Sequence, residues 1–354
     1  MVKENTMKQT EIGLMPEDWR VVFIKQMAPL QRGFDLPISK IQEGVFPVVF
    51  SNGINKHHNQ FMVKAPGIVT GRSGTIGKVF YIERNFWPHN TSLFVTAFNN
   101  VNPKYVYFLY NYIDFNKFSS GSGVPTLNRN DIHDTKIPLP PLPEQEAIAE
   151  ALSDADAWIE SLKQLIAKKR LIKHGSMQEL LTPKEDWKVK KLGELLQFGS
   201  GKDYKHLNSG DIPVYGTGGV MTFVDNYLYD GISIGIGRKG TIDKPVLLSG
   251  KFWTVDTLFY THSFSGINPN YIYYQFLLIP WREYNEASGV PSLNKNTLEQ
   301  IEIKIPSLTE QARIATILSD MDAELGALGA QLGKARQVKQ GMMQELLTGR
   351  VRLI

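Results

Sequence analysis

Two stretches of the chain repeat an apolar residue at alternating steps of four and three. From Glu144 onward these are Ile148, Leu152, Ala155, Ile159, Leu162 and Ile166; the second stretch has Ile314, Leu318, Met321, Leu325, Leu328, Leu332 and Ala335. The spacing is a heptad seam and predicts two long helices, 144–182 and 310–348. Their apolar stripes are too narrow for burial on every side, so each predicts one neighbouring helix, most simply its repeat mate in an antiparallel coiled coil. Two amphipathic helices packed separately on their own domains are the alternative. At 1.5 Å per residue the first helix would be roughly 55 Å long.

The segments before these helices read differently. Residues 17–140 and 185–306 mix short β-branched and aromatic runs with Gly and Pro punctuation, the pattern of an α+β domain. Val45-Phe46-Pro47-Val48-Val49-Phe50 and Gly231-Ile232-Ser233-Ile234-Gly235-Ile236 predict strands, and 102–112 and 268–278 predict helices.

The two halves are copies. Ser122-Gly123-Val124-Pro125-Thr126-Leu127-Asn128 recurs as Ser288-Gly289-Val290-Pro291-Ser292-Leu293-Asn294, and 291 minus 125 is 166. The same shift carries Pro47-Val48 to Pro213-Val214, Phe86-Trp87 to Phe252-Trp253, Asn102-Pro103 to Asn268-Pro269 and Met177-Gln178-Glu179-Leu180-Leu181-Thr182 to Met343-Gln344-Glu345-Leu346-Leu347-Thr348. Glu17-Asp18-Trp19 pairs with Glu185-Asp186-Trp187 at 168, so two residues were gained or lost before position 47. Two long copies define a duplicated domain rather than a solenoid. The expected architecture is α+β: domains at 1–143 and 183–309, long helices at 144–182 and 310–348, and a tail at 349–354. Antiparallel helices would relate the domains by a pseudo-two-fold axis and set them apart, a spacing that suits a split site on one duplex.

Composition adds limits. With 354 residues, 42% apolar and 21% charged, the chain is long enough for two cored domains. It has no uncharged apolar run long enough to span a bilayer and no apolar leader, which predicts neither secretion nor membrane insertion. Zero cysteines remove disulfides and thiolate zinc sites, consistent with a reducing cytoplasm. A net charge of +4 permits a nucleic-acid partner without requiring one.

Several patterns resemble catalytic motifs and fail on context. Gly235-Ile236-Gly237-Arg238-Lys239-Gly240 has dinucleotide-binding spacing, but Pro245 and β-branched residues follow where a helix is needed, so a strand and turn is expected. Residues 71–78 miss P-loop spacing by one, with Val79 in place of a metal-binding hydroxyl. Asn102-Pro103-Lys104-Tyr105 and Asn268-Pro269-Asn270-Tyr271 lack the second proline of a base-gripping methyltransferase loop and read as helix caps. His57-His58 has no metal-ligand spacing, and Glu302-Ile303-Lys304 reads as a polar-faced strand. No catalytic residue, metal site or cofactor is assigned.

The tandem organisation resembles the specificity subunit of type I restriction-modification systems over essentially the whole chain. The resemblance rests on Gly13-Leu14-Met15-Pro16-Glu17-Asp18-Trp19, on Leu139-Pro140-Pro141-Leu142-Pro143-Glu144-Gln145 and Ile305-Pro306-Ser307-Leu308-Thr309-Glu310-Gln311 at the helix starts, and on the two Met-Gln-Glu-Leu-Leu-Thr ends. It implies a non-catalytic protein whose two domains each read half of a split DNA sequence, while the helices dock two methylation subunits and restriction subunits join that core. S-adenosylmethionine, ATP and magnesium would act in those partners.

Basic residues on glycine-rich turns are the expected phosphate contacts: Arg72 and Lys78, matched by Arg238 and Lys244, with Lys239 as a further cation in the second copy. Bracing of the core by Arg72 and Arg238 is the competing reading. Base contacts are expected from residues that differ between copies: Asn52, Asn55, Lys56, His57, His58 and Asn59 in the first, and Lys202, Asp203, Tyr204, Lys205 and His206 in the second. Solvated loops are the plain alternative. Asn128, Arg129, Asn294 and Lys295 follow the shared Ser-Gly-Val-Pro segment, either near the duplex or in a structural turn. Lys163, Lys168, Lys169, Arg170 and Lys173 make one helix end basic, by default a solvated face. Two other classes stay open: a duplicated adaptor for protein partners, and a self-contained DNA-modifying enzyme.

Overall fold

The structure, a computed structural model, describes residues 6–120 and 124–353. It divides into two compact units, Met1–Lys163 with Gln331–Ile354, and Gln164–Ala330. The division cuts both long helices, Leu142–Leu181 and Leu308–Leu346. Each unit therefore contains an α+β body, the first part of one long helix and the last part of the other.

In the first unit a four-stranded antiparallel sheet has the order Leu30–Arg32, Ser92–Val95, Gly67–Gly71, Val79–Ile82. Gly67–Gly71 is buried at every residue. That explains an apolar run without alternation: the strand is covered on both faces. Its one polar side chain is satisfied, since Thr70 Oγ1 donates to the Lys78 carbonyl at 2.9 Å. A second sheet joins Gly53–His58 antiparallel to Phe46–Phe50, and Phe46–Phe50 parallel to Trp87–Pro88. Val49 from this sheet meets Val69, Ile82 and Phe94 of the first in a small core between the two. The larger core gathers Tyr105, Val106 and Leu109 of the helix Pro103–Tyr112 with Ile68, Leu93, Ile148 and Leu152.

The second unit repeats this plan. Its main sheet runs Gln197–Ser200, Leu258–His262, Ser233–Gly237, Val246–Leu248, and its second sheet Gly219–Val224, Ser209–Gly216, Lys251–Thr254, Tyr229–Asp230. The expected strands begin slightly late, at Phe46 and Ser233; Gly231 has φ +142°, outside the extended region. Asn102 and Asn268 cap their helices as the sequence predicts, each side chain accepting from two backbone N–H groups. The dinucleotide-like glycines form a strand and turn, followed by the strand Val246–Leu248 and not by a helix. Glu302–Ile305 is a strand with exposed Glu302 and Lys304 and buried Ile303 and Ile305.

The long helices start at Leu142 and Leu308, two residues before the expected Glu144 and Glu310; in the first, Pro143 is accommodated because the first turn needs no N–H partner. Within each unit their segments are antiparallel. In the first, Glu144 pairs with Arg352 and Asp156 with Lys339; in the second, Lys169 pairs with Glu324 and Lys173 with Asp322. Lys339–Asp156 maps onto Lys173–Asp322 at the repeat offset, and each lysine also lies over an equivalent ring, Phe108 at 5.3 Å and Tyr274 at 5.5 Å.

The seam is not purely a helix-to-helix contact, which corrects the heptad expectation. Ile148 and Leu152 are wholly buried in the first unit's main core with Tyr105 as well as Leu346 and Leu347. Ile314 and Leu318 are likewise buried with Tyr271 as well as Met177 and Leu181. Beyond those turns Ile159, Leu162 and Ile166 are buried, while Met321, Leu325, Leu328 and Leu332 are half-buried.

A buried glutamine fastens each helix start to its domain. Gln145 accepts the Asn102 N–H at 2.9 Å and donates to the Pro140 carbonyl at 2.9 Å. Gln311 accepts the Asn268 N–H at 2.8 Å and donates to the Pro306 carbonyl at 3.0 Å. The paired backbone groups would otherwise be buried without partners, which explains the glutamine at both helix starts.

Candidate nucleic-acid interface

The basic turn and the Ser-Gly-Val-Pro segment, 50 residues apart in sequence, dock on each other in both units. In the first, Gly74 N–H donates to the Pro125 carbonyl at 3.1 Å, and Leu127 N–H to the Arg72 carbonyl at 2.8 Å. In the second, Gly240 N–H donates to the Pro291 carbonyl at 2.9 Å, and Leu293 N–H to the Arg238 carbonyl at 2.9 Å. Ser122 and Gly123 lie outside the described residues. Two glycines explain the turn's sequence. Gly74 and Gly240 have φ +86° and +89°, where a side chain is strained. A Cβ on Gly71 or Gly237 would fall 1.7 or 2.0 Å from the carbonyl of Thr75 or Thr241.

This docking brings predicted cations together. Arg238, Lys239 and Lys295 line one cleft of about 330 Å³ with Ser200, Asn294 and Glu286. His262 is held below its ordinary pKa by partial burial and then by the positive charge of Lys295. Arg238 and Lys239 are exposed; Lys295 is the first residue of a short helix capped by Asn294. In the first unit Arg129 holds the same position after the cap Asn128. Arg72 is half-buried, and its guanidinium donates to the Asn90 carbonyl at 3.3 Å rather than to an acid. Lys78 is exposed. Lys244 belongs to a neighbouring cleft of about 430 Å³, beside Asp243. The Arg282 hydrogen bond, at 2.7 Å, holds the Asp243 carboxyl below its usual range.

The expected base-contact residues are placed less simply. Asn55, Lys56 and His57 are exposed, but on the edge strand Gly53–His58 rather than in a loop. His58 is a correction: it is 5% exposed, its Nδ1 accepts the Gln42 N–H at 3.1 Å, and it packs edge-on to Trp87, so it belongs to the fold. Asn59 is exposed and donates to Gln42 Oε1. Lys202, Asp203, Lys205 and His206 are exposed on a loop; Tyr204 packs on the small core of Val214, Val224 and Trp253. That loop is not the counterpart of 53–58. The offset makes Gly219–Val224 the counterpart, an element that sequence reasoning passed over because it carries no polar side chain beyond Thr222. Lys163 pairs with Glu160, Lys169 with Glu324 and Lys173 with Asp322, so much of the basic helix end is engaged; Lys168 and Arg170 are exposed. No metal-holding cluster of acidic, His or Cys residues occurs among the described residues. None of the described helices is long and apolar enough to cross a membrane.

Two copies of an α+β domain, each followed by a long helix paired antiparallel within its unit, define a duplicated two-domain protein. The family of the type I restriction modification DNA specificity domain matches residues 16–168 and 184–332, and the chain belongs to it, with two copies. The chain is a specificity subunit of a type I restriction-modification system, a class that binds DNA and assembles with other subunits. It is 23% identical to the type I restriction enzyme MjaVIII specificity subunit of Methanocaldococcus jannaschii, over 99% of this chain and 97% of that one. Its fold is similar to that of a type I restriction-modification S subunit from M. genitalium, with TM-score 0.71, 19% identity and 98% of each chain covered. It is also similar to a chain from a structural study of complex assembly in a type I system, with TM-score 0.56, 14% identity, and 95% of this chain and 99% of that one covered.

Proposed function

We propose that the domains at 1–143 and 183–309 each read one half of a split DNA sequence, and that the helices at 144–182 and 310–348 set the halves apart and hold two methylation subunits. Restriction subunits join that assembly in the cytoplasm. S-adenosylmethionine, ATP and magnesium act in the partners, and this chain supplies the address. The observation that carries the reading is a glycine turn bearing an arginine, clamped by the same backbone hydrogen bonds onto the Ser-Gly-Val-Pro segment in both units. A backbone arrangement that recurs in two readers of different half-sites suits what all DNA shares, its phosphate backbone.

The test uses the chain assembled with its methylation subunit. Replacing Arg238, Lys239 and Lys295 by Ala weakens binding to all sequences alike and lowers the slope of log affinity against log salt by about 0.9 per lost phosphate contact. The mapped methylation site keeps its sequence. Unchanged affinity and slope in the triple variant would remove the cleft from the interface.

A further inference from the structure

Beside the cationic turn, each unit carries a two-stranded hairpin with one free edge. In the first it is Phe46–Phe50 with Gly53–His58, joined through Ser51-Asn52; in the second, Ser209–Gly216 with Gly219–Val224, joined through Thr217-Gly218. The hairpin tip borders the turn in both: a Cβ on Gly74 would lie 3.9 Å from Ser51 Oγ, and one on Gly240 4.0 Å from Thr217 Oγ1. Both edge strands break register at the same place, between the partners Val48/Val49 and Val214/Tyr215, which leaves Asn55 and its counterpart Met221 as the extra residue. A bulge re-aims side chains and is a retained feature, not a slip.

The backbone device is duplicated, but its exposed chemistry is not. Asn55-Lys56-His57 in the first unit becomes Met221-Thr222-Phe223 in the second. Met221 and Phe223 are 57% and 52% exposed on an unpaired strand edge, a placement that invites aggregation unless something covers it. A two-stranded ribbon fits the major groove, where thymine alone presents a methyl group. Resting on the reading that each domain contacts DNA, we infer that these bulged edge strands read the bases: Asn55, Lys56 and His57 by hydrogen bonds in one half-site, and Met221 and Phe223 by apolar contact with thymine methyl groups in the other. The shared turn holds phosphate at the ribbon's tip, and the divergent edge discriminates.

The experiment first maps the methylated sequence of the assembled complex, then measures its binding to duplexes with deoxyuridine replacing each thymine in turn, which removes only the methyl. In the second domain's half-site at least one replacement weakens binding about four-fold, the equivalent of one lost buried methyl. Phe223→Ala and Met221→Ala complexes lose that discrimination while still recognising the first half-site. Asn55→Ala and Lys56→Ala relax the first half-site only. A second half-site without thymine, indifference of the unaltered complex to every uracil, or discrimination retained in both second-domain variants overturns the inference. So does an isolated chain whose self-association, measured by light scattering, is abolished by Phe223→Ala while discrimination persists. The absence of any split site in the methylation map would instead remove the underlying reading.

Discussion

The starts of the two long helices sit in equivalent places and hold their glutamates differently. Glu144 is fully buried; it accepts from Trp19 Nε1 at 2.8 Å and from Arg352 Nη2 at 2.7 Å, and Arg352 also bonds both oxygens of Asp18. The arginine reaches it because the tail turns at Gly349, where φ is +75° and a Cβ would strike Pro16 Cδ at 2.5 Å. Glu310, the counterpart, keeps a quarter of its side chain exposed, pairs with Arg313 one turn away at 2.7 Å, and has Lys184 at 3.8 Å. In the second unit the segment after the equivalent helix end leads into that unit's own domain, and the cation it brings to Glu310 is Lys184. The same residue type is a buried charge with an obligatory partner in one unit and a partly exposed first-turn carboxylate paired with its own helix in the other. Sequence identity between copies therefore does not transfer energetic role.

The largest effect expected from breaking this comparison is at Arg352. Arg352→Ala leaves Glu144 buried without a counter-charge, and the unfolding free energy measured in denaturant falls by about 2–4 kcal/mol. Adding Glu144→Gln to that variant recovers part of the loss, since the orphaned charge is then gone. Arg313→Ala, the parallel change in the second unit, leaves stability unchanged within error. Equal losses from both arginines would show that burial does not separate the two sites.

Much of the fold was legible from the duplication. The offset of 166 placed both helix caps and both long helices, because each depends on local signals that appear twice. The helix-to-helix ion pairs were missed, although Asp156/Asp322 and Lys173/Lys339 obey the same offset; a charge pair across two helices has no local signature until their register is known. The double role of Ile148, Leu152, Ile314 and Leu318 was hidden for a related reason, since a heptad stripe shows that a face is buried but not by what. In the candidate site the cationic turn stood out through its glycines. The edge strand at 219–224 did not, because hydrogen-bonding side chains are the sequence mark of a base reader and its exposed residues are mostly apolar.

A smaller contrast is acid sensitivity. His133 Nε2 accepts the Leu30 N–H at 2.8 Å, a bond that only a ring unprotonated at Nε2 can make. Its pKa is held below the ordinary value by burial and then by nearby Arg129. The unfolded chain thus binds the proton more readily. The stabilisation is present above the unfolded value of about 6.5 and is lost as pH falls through that point toward the lowered folded value. The second unit has Glu299 at this position. His133→Gln therefore flattens the fall in melting temperature between pH 7.5 and 5.5, whereas substituting Glu299 does not. An unaltered acid limb in His133→Gln would place the titrating groups elsewhere; His89 and His262, also lowered chiefly by burial, are the next to examine.

The smallest effects distinguish the long helices themselves. Leu142–Leu181 contains one glycine, Gly175, whereas Leu308–Leu346 contains Gly326, Gly329, Gly333 and Gly341. A Cβ added at any of these would meet nothing within 4 Å, so no close approach requires their absence of a side chain. Glycine in a helix interior costs about 0.8–1 kcal/mol relative to alanine because the unfolded backbone gives up more freedom. Gly326→Ala, Gly329→Ala and Gly333→Ala are each expected to raise stability by about 0.5–1 kcal/mol, roughly additively if no partner contact is lost. Hydrogen exchange would register slower opening in the second helix with little change in the first. If the triple variant is more stable alone yet assembles less tightly with a methylation subunit, the glycines serve that contact; unchanged assembly would leave them as tolerated weak points in the second copy.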